Sequence, residues 1–388
     1  MHTIALHDLL HMLQLRHSPA GAASQPIVLV DLDELESLSP REASLLAHRL
    51  PDDLRIYVGV RTRPLPVPLI GPGQQILERL TTTISPTVGA LADGTPEGPA
   101  SATSAVVRVD DPLETAARIA EQGRRTPDAV HVMDTVLRIA ERATARETLI
   151  SESYGYAALL DGPEYGAWRT VAGAPVGPPA QVRRDRHGDT NVVTIDWTTP
   201  ESGMDHALRL AVAQALLDAR HEGADEIELR AEGPDFCAQP IPDDDPARRG
   251  DARAHLNRLQ RHPGVAAWLV HRRLTVRVQG RCCSAGLELA AFAHTVIADR
   301  DARFWVPHLP YGLCFGAGGS VSLTSRIGRW RTAYLALSGA SIDAATALRW
   351  GLVDVIADAH APSRPPYELV GGPVQSLSGW TVARVLAG

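Results

Sequence analysis

The stretch from Leu274 to Gly319 constrains the fold of this chain more than any other. Apolar and polar residues alternate over Leu274–Val278, which is the period of a β-strand. A turn at Ser284–Gly286 follows, and then the apolar run Leu287–Ala293, in which Glu288 is the only acid. A carboxylate in an apolar helix is costly to bury unless a partner satisfies it, although a place near the helix N-terminus offsets part of that cost. The pattern predicts a strand, a turn and a helix that presents Glu288 to a partner or a substrate.

A series of short motifs here and further along the chain resembles the crotonase superfamily, the enoyl-CoA hydratase/isomerase fold. One such motif would be weak evidence, whereas the ordered series is specific. The resemblance covers about residues 185 to 358 and implies a crotonase-like core, a spiral of repeated ββα units. The matching pieces are Gly280, Ser284-Ala285-Gly286, Glu288-Leu289-Ala290, Ala298-Asp299, Ala302-Arg303-Phe304, Pro307, Gly316–Gly319, Leu337-Ser338-Gly339, Ile342-Asp343-Ala344, Ala347 and Gly351–Asp354.

The resemblance also implies an acid/base pair. Glu288 matches one of the two catalytic glutamates of the hydratases, and His308, which follows Pro307, matches the position of the second. Histidine exchanges a proton near neutral pH, so Glu288 and His308 together would serve proton transfer. The alternatives are a core glutamate satisfied by hydrogen bonds and a histidine on the surface.

The oxyanion hole is the point at which this chain departs from the family. The family places one backbone N–H donor at the position of Ala285 and the other in a loop that matches Gly233–Ala238. After that loop the usual glycine is replaced by Gln239, and the donor position aligns with Pro240, which has no N–H. Either the alignment slips and another amide serves, or the hole is incomplete. The resemblance further implies that the substrate is bound by Phe236, Ala238, Gly286 and Gly318.

Composition excludes several classes of function. A formal net charge of −7 and a pI near 6.1 argue against a nucleic-acid partner. All 38 basic residues are arginines, so no lysine can form a Schiff base. The four cysteines, among them the adjacent Cys282 and Cys283, have neither metal-ligand nor disulfide spacing and are expected to pack in the core. No apolar run reaches membrane-spanning length and no signal peptide is evident, so we expect no membrane contact and a cytoplasmic location.

Residues 1–178 are predicted to form a separate N-terminal α/β domain. A short helix after Leu6, a strand over Ile27–Leu32, a helix from Pro40 and a strand over Ile56–Val60 make a β-α-β unit. The segment Thr82–Ser104 has the composition of a loop or linker.

Helices are expected between 112 and 170, over Asp128–Ala143 and Glu147–Arg169, and the second of these loosely resembles the closing helices of a crotonase chain. Two interpretations remain open: a degenerate crotonase half, or a domain that lends its helices to the core. The Gly/Pro-rich residues before 179 and the charged segment Arg183–Asp189, interpreted as a turn, mark the boundary.

The predicted fold is therefore α/β, with the crotonase-like core at residues 179–388. The predicted activity is that of a lyase or isomerase, which hydrates, dehydrates or shifts the double bond of an acyl-CoA or carrier-bound thioester through an enolate, in specialised metabolism. No metal or cofactor is expected beyond the CoA or carrier of the substrate, and the family habit suggests a homotrimer or hexamer. The alternatives are a hydrolase or decarboxylase on the same fold and a non-catalytic subunit that binds a partner or an acyl carrier.

Overall fold

The structure, a computed structural model, describes residues 3–15, 26–50, 55–64, 71–87, 105–172, 180–197, 203–240 and 262–357. The strands are β1 Ile4–Ala5, β2 Ile27–Asp31, β3 Ile56–Val60, β4 Thr82–Pro86, β5 Val106–Val109, β6 Ala180–His187, β7 Thr190–Trp197, β8 Glu226–Glu232, β9 Leu274–Val278, β10 Arg281–Cys283, β11 Thr295–Asp299, β12 Arg303–Trp305, β13 Ile342–Asp343 and β14 Val355–Ala357. The helices are α1 Leu6–Leu15, α2 Pro40–Arg49, α3 Pro72–Arg79, α4 Pro112–Arg125, α5 Pro127–Ala140, α6 Ala145–Leu160, α7 Pro163–Ala172, α8 His206–His221, α9 Pro263–Val270, α10 Ser284–Ala290, α11 Gly319–Ser338 and α12 Ala344–Trp350.

The first five strands form one parallel sheet in the order of the sequence. Parallel strands are buried on both faces and therefore read as continuous apolar runs. On one face, residues such as Val28 and Val30 pack with the helices α1, α2 and α3 in a cluster of their own. On the other face, Ile27 and Leu29 belong to the main core of the molecule, together with Ile119 of α4. The predicted β-α-β start of the chain is confirmed.

The prediction of a loop from Thr82 onward was wrong for its first residues, which form β4. The polar composition was misleading, because Thr82 and Thr83 are completely buried between β3 and β5. Threonine is β-branched and fits a strand as well as valine does. The rest of the predicted linker, residues 88 to 104, lies outside the described residues.

The second half carries a six-stranded sheet in the order β14-β11-β9-β8-β7-β6, parallel except for the pair β6/β7, and a three-stranded sheet in the order β10-β12-β13. The expected strands at Leu274–Val278 and before helix α8 are confirmed. The expected charged turn at Arg183–Asp189 was wrong, because all but its end belongs to the exposed edge strand β6. Its arginines pair with acids of neighbouring elements, as Arg184 does with Glu222 at 2.8 Å. The predicted boundary at residue 178 lies outside the described residues.

The two halves of the chain share one hydrophobic core. Tyr156 and Leu159 of α6 belong to the same cluster as Phe315 in the second half. Buried Arg329 of α11 also donates to the backbone carbonyl of Leu80 at 3.0 Å, at the end of α3. Helix α11 is therefore in contact with the N-terminal sheet as well as with the crotonase-like core. Among the ranges described above, no helix is long and apolar enough to cross a bilayer.

Candidate active site

The site is built on the glycine-rich turn 316–320, whose last two residues are the first two of helix α11. Glu288 of α10 is buried, and its Oε2 accepts hydrogen bonds from the backbone N–H groups of Gly316 at 3.2 Å, Ala317 at 2.8 Å and Gly319 at 2.8 Å. A Cβ at Gly319 would lie 2.7 Å from the Cγ of Glu288, so this close approach requires a glycine. The turn thus satisfies the buried carboxylate that the sequence placed in an apolar helix.

The other oxygen of Glu288 faces the imidazole of His308. The distance from Glu288 Oε1 to His308 Nε2 is 3.0 Å, and both side chains are buried. The same Nε2 lies 3.0 Å from the hydroxyl oxygen of Ser284. The structure therefore brings the two predicted acid/base residues into direct contact and buries His308, which excludes the surface position. Glu288 also fits the alternative of a core glutamate satisfied by hydrogen bonds, since three backbone amides donate to it.

The protonation of Glu288 follows from these partners. Burial alone would raise the pKa of its carboxyl, but the charge and hydrogen bond of His308, the amide of Ala317 and the positive charge of Arg209 outweigh burial and lower the pKa to about 2. Glu288 is thus an anion at neutral pH and faces the edge of an imidazole ring.

Ser284 occupies a strained position at the point where β10 turns into α10. Its φ of 51° makes it the only residue other than glycine with a positive φ among those that the structure describes. Non-glycine residues avoid this left-handed region because Cβ meets the backbone. The sequence analysis gave Ser284 no role of its own, although a serine in a turn of small residues just before Ala285 was visible.

A second buried glutamate, Glu152, was missed by the sequence analysis. It lies on α6, in the N-terminal half, and is completely buried. Its Oε1 accepts from the N–H of Gly318 at 2.7 Å, and its Oε2 accepts from the N–H and the hydroxyl of Ser320 at 2.9 and 2.5 Å. Burial, followed by the charge of Glu288, raises the pKa of Glu152 to about 8. The available sequence signal was an acid on the apolar face of α6, 136 residues before Glu288, with no motif around it.

A small cavity lies beside the acid/base pair. Its volume is about 10 Å³, close to the space that one water molecule needs. The predicted residues His308 and Pro240 line it, so Pro240 does reach the site. Ser284, which precedes Ala285, lines it as well. The complete lining is Tyr156, Arg209, Pro240, Ser284, His308, Tyr311, Leu313 and Gly316.

The predicted oxyanion loop lies against β10. Backbone bonds join Cys237 N–H to the carbonyl of Arg281 and Cys283 N–H to the carbonyl of Cys237, each at 2.9 Å. Gln239 continues this loop and forms a β-bridge with Gly203. These bonds place the loop next to the start of α10, where Ala285 lies.

The predicted substrate-binding residues do not line the cavity in the part of the chain described. Phe236 and Ala238 are buried in the core, and a Cβ on Gly286 would lie 2.3 Å from that of Cys237. Gly286 therefore lets α10 pack tightly on the loop, and Gly318, with a φ of 99°, is part of the turn held by Glu152. The expectation that the cysteines pack in the core is confirmed, since the thiols of all four are buried.

Comparison with known proteins finds relatives of the second half of the chain. The family model "Enoyl-CoA hydratase/isomerase" matches residues 270–361. The chain is 35% identical over 100 residues to a mevalonyl-coenzyme A hydratase of Aspergillus fumigatus, a match that covers 25% of this chain and 37% of that protein. It is 34% identical over 103 residues to the 2,3-dehydroadipyl-CoA hydratase of Escherichia coli, covering 26% and 40%.

Solved structures of the same family are also similar to this chain. A putative enoyl-CoA hydratase/isomerase from Mycobacterium abscessus is 28% identical, with a TM-score of 0.40, and the match covers 46% of this chain and 71% of that one. The matched segment spans less than half the length of the curated relatives. Over this segment the chain is similar to the enoyl-CoA hydratase/isomerase family, in line with the resemblance of its motifs to the crotonase superfamily.

No cluster of three or more histidine, cysteine, aspartate or glutamate side chains that could hold a metal ion is found within the described ranges.

Proposed function

We propose that this chain is a crotonase-type enzyme that acts on an acyl thioester, on CoA or on a carrier, and that moves protons at the α and β carbons. Hydration, dehydration and double-bond isomerisation are the reactions that we favour. The observation that carries the proposal is the buried contact of 3.0 Å between Glu288 Oε1 and His308 Nε2, next to the turn that holds Ala285. The hydratase names of the relatives support the same class of reaction.

The proposed hydration uses the residues as follows. The thioester carbonyl accepts a hydrogen bond from the N–H of Ala285. Glu288, which is ionised, takes a proton from water, whose oxygen forms a bond to the β carbon while the electron pair moves through the α carbon to the thioester oxygen. His308 then gives a proton to the α carbon and the enolate returns to a carbonyl. Dehydration is the reverse, and neither direction consumes a redox cofactor.

Pro240 lowers the turnover that we expect. It lines the cavity but has no N–H to give to the enolate oxygen. One missing oxyanion donor costs ~2.7–4 kcal/mol, which is about 10²–10³ in rate. We therefore expect slow turnover of a simple 2-enoyl-CoA, and an acyl group that suits this altered site in specialised metabolism.

The test is the hydration of a 2-enoyl-CoA by wild type and by Glu288→Gln, which keeps the shape of the side chain and removes its proton-carrying oxygen. Turnover should fall ~10²–10⁴-fold without loss of folding. Asp134→Asn is the matched control, because Asp134 is also a buried carboxylate but accepts from Thr81, in the N-terminal half. Its turnover should stay close to that of wild type, whereas equal turnover in wild type and Glu288→Gln would show that Glu288 is structural.

A second candidate is a non-catalytic subunit that binds an acyl carrier or another partner. The specific observation in its favour is the cavity of about 10 Å³, which is far smaller than an acyl group. Titration with acyl-CoA separates the two: tight binding without turnover supports the binding subunit, and turnover supports the enzyme. A trimer or hexamer, a cytoplasmic location and the absence of a cofactor stay predictions, and light scattering checks the first of them.

A further inference from the structure

Two carboxylates accept hydrogen bonds from the backbone amides of one turn. Five successive backbone N–H groups, from residue 316 to residue 320, each donate to a buried glutamate. Glu288 takes the first, second and fourth, and Glu152 takes the third and fifth. Glu288 comes from the crotonase-like core and Glu152 from the N-terminal half, so the turn is held from both sides.

The conformation of the turn depends on both partners. Gly318 has a φ of 99°, and a Cβ on it would lie 2.5 Å from the ring of Phe292, so its place in the turn is fixed by its surroundings. A buried N–H that loses its acceptor costs its full desolvation. If Glu152 were absent, the amides of Gly318 and Ser320 would have to turn toward other acceptors. The intervening amide of Gly319, which binds Glu288, lies between them and would move with them.

We propose that Glu152 is a positioning residue for Glu288, because it holds the turn 316–320 in the one conformation that binds Glu288 Oε2 and so directs Glu288 Oε1 to His308. This inference rests on the proposed function and adds to it a residue from the N-terminal half. It also assigns the N-terminal half a role in the reaction, which is to position Glu288. Helix α6 further contributes Tyr156, four residues after Glu152, to the lining of the cavity.

The groups around Glu152 are consistent with this role. Besides Glu288, it faces the hydroxyl of Ser320 and the imidazole of His262, whose Nε2 lies 3.7 Å from Glu152 Oε1. With its pKa raised to about 8 by burial and by Glu288, the carboxyl keeps a proton at neutral pH. A protonated Oε2 can donate to the Ser320 hydroxyl at 2.5 Å while Oε1 still accepts from Gly318. The turn is thus held without a second negative charge beside Glu288.

The experiment compares full-length wild type, Glu152→Ala and Ser320→Ala, with Asp134→Asn as the control. Hydrogen exchange of single amides, read by mass spectrometry with electron-transfer fragmentation, is measured at 316, 317 and 319, which Glu152 does not touch. We expect these amides to exchange ~10–100-fold faster in Glu152→Ala, less so in Ser320→Ala, and not faster in Asp134→Asn. Turnover of a 2-enoyl-CoA is measured in parallel, and kcat should fall about 10–100-fold in Glu152→Ala with little change in KM.

A purely structural role for Glu152 would give a different pattern. In that case both Glu152→Ala and Asp134→Asn would lower the melting temperature, while the three amides bound to Glu288 kept their protection and kcat was unchanged. That pattern overturns the proposal. If Glu152→Ala does not fold, Ser320→Ala gives the decision from its exchange rates. If wild type turns over no enoyl-CoA, the proposed function fails, and the exchange at 316, 317 and 319 still decides whether Glu152 holds the turn.

Discussion

Helices α6 and α10 each bring one glutamate to the same turn, and the two carboxylates differ in protonation. Glu288 of α10 faces His308 at 3.0 Å and has a pKa lowered to about 2. Glu152 of α6 has the anion of Glu288 as a neighbour, and its pKa is raised to about 8. Both side chains are fully buried and both accept from backbone amides, so burial and the amide hydrogen bonds do not separate them. The nearest charged neighbour separates their pKa values: His308 lowers that of Glu288, and the anion of Glu288 raises that of Glu152. Opposite shifts of this kind give two neighbouring acids distinct roles.

The largest effect should come from removing α6 with the rest of the N-terminal half. Residues 180–388 alone would expose the core surface around Phe315 that now packs in one cluster with Tyr156, and would leave buried Arg329 without the Leu80 carbonyl. We expect aggregated protein in size-exclusion chromatography, with no cooperative melting. A soluble, cooperatively melting fragment would show that the core does not need α6.

The next effect concerns the oxyanion hole, on the α10 side of the site. Replacing Gln239-Pro240 by Gly-Ala restores the missing N–H and the family pattern together. Hydratase activity on a simple 2-enoyl-CoA should rise, up to about 10²–10³-fold if a full donor is regained. If neither turnover nor thioester binding improves while the fold is kept, another amide already completes the hole or thioesters are not the substrate.

The opposite pKa shifts predict opposite pH dependences of stability. The folded state holds the proton of Glu152 between about pH 4.5 and 8, where the unfolded chain has lost it, so this residue makes wild type less stable as the pH rises through that window. Relative to wild type, Glu152→Gln should therefore gain ~1–4 kcal/mol of unfolding free energy between pH 5 and 8.

The contribution of Glu288 to stability should have the opposite pH dependence. Its stabilising contribution is present above the unfolded pKa near 4.5 and is lost as the pH falls toward 2, so Glu288→Gln should gain on wild type in that acid window. Urea unfolding at a series of pH values measures both differences. Parallel curves for Glu152→Gln and wild type from pH 5 to 8 would contradict the raised pKa of Glu152.

The smallest effect should distinguish the strained turn before α10 from the regular helix α6. At Ser284, with its φ of 51°, glycine should be more stable than alanine by about 1 kcal/mol, since only alanine keeps the Cβ strain. At Ser153, a buried helical position of α6, the order should be the usual one, with alanine more stable by roughly 1 kcal/mol. Thermal unfolding of the four variants measures this, and the same order at both sites would show that Ser284 is not strained.

The sequence predicted the α10 side of the site and not the α6 side, for a physical reason. Glu288 and His308 match two positions in an ordered series of family motifs, so the resemblance implied that they approach each other. Glu152 reaches the turn only because helices α5 and α6 pack on α11, a contact between distant parts of the chain that no local pattern encodes. The edge strand β6 and the strand β4 were missed because polar residues fill them, and their partners are likewise distant in sequence.

The most direct test of the central claim is the exchange of the α proton of a saturated acyl-CoA in D₂O, because every reaction proposed here passes through the same enolate. Mass spectrometry measures the deuterium that enters the acyl group. The account predicts that wild type introduces deuterium at the α carbon and that His308→Gln, which lacks the imidazole assigned to the α proton, does so ~10²–10⁴-fold more slowly. No exchange by wild type with the thioester bound, or equal exchange by His308→Gln, would contradict it.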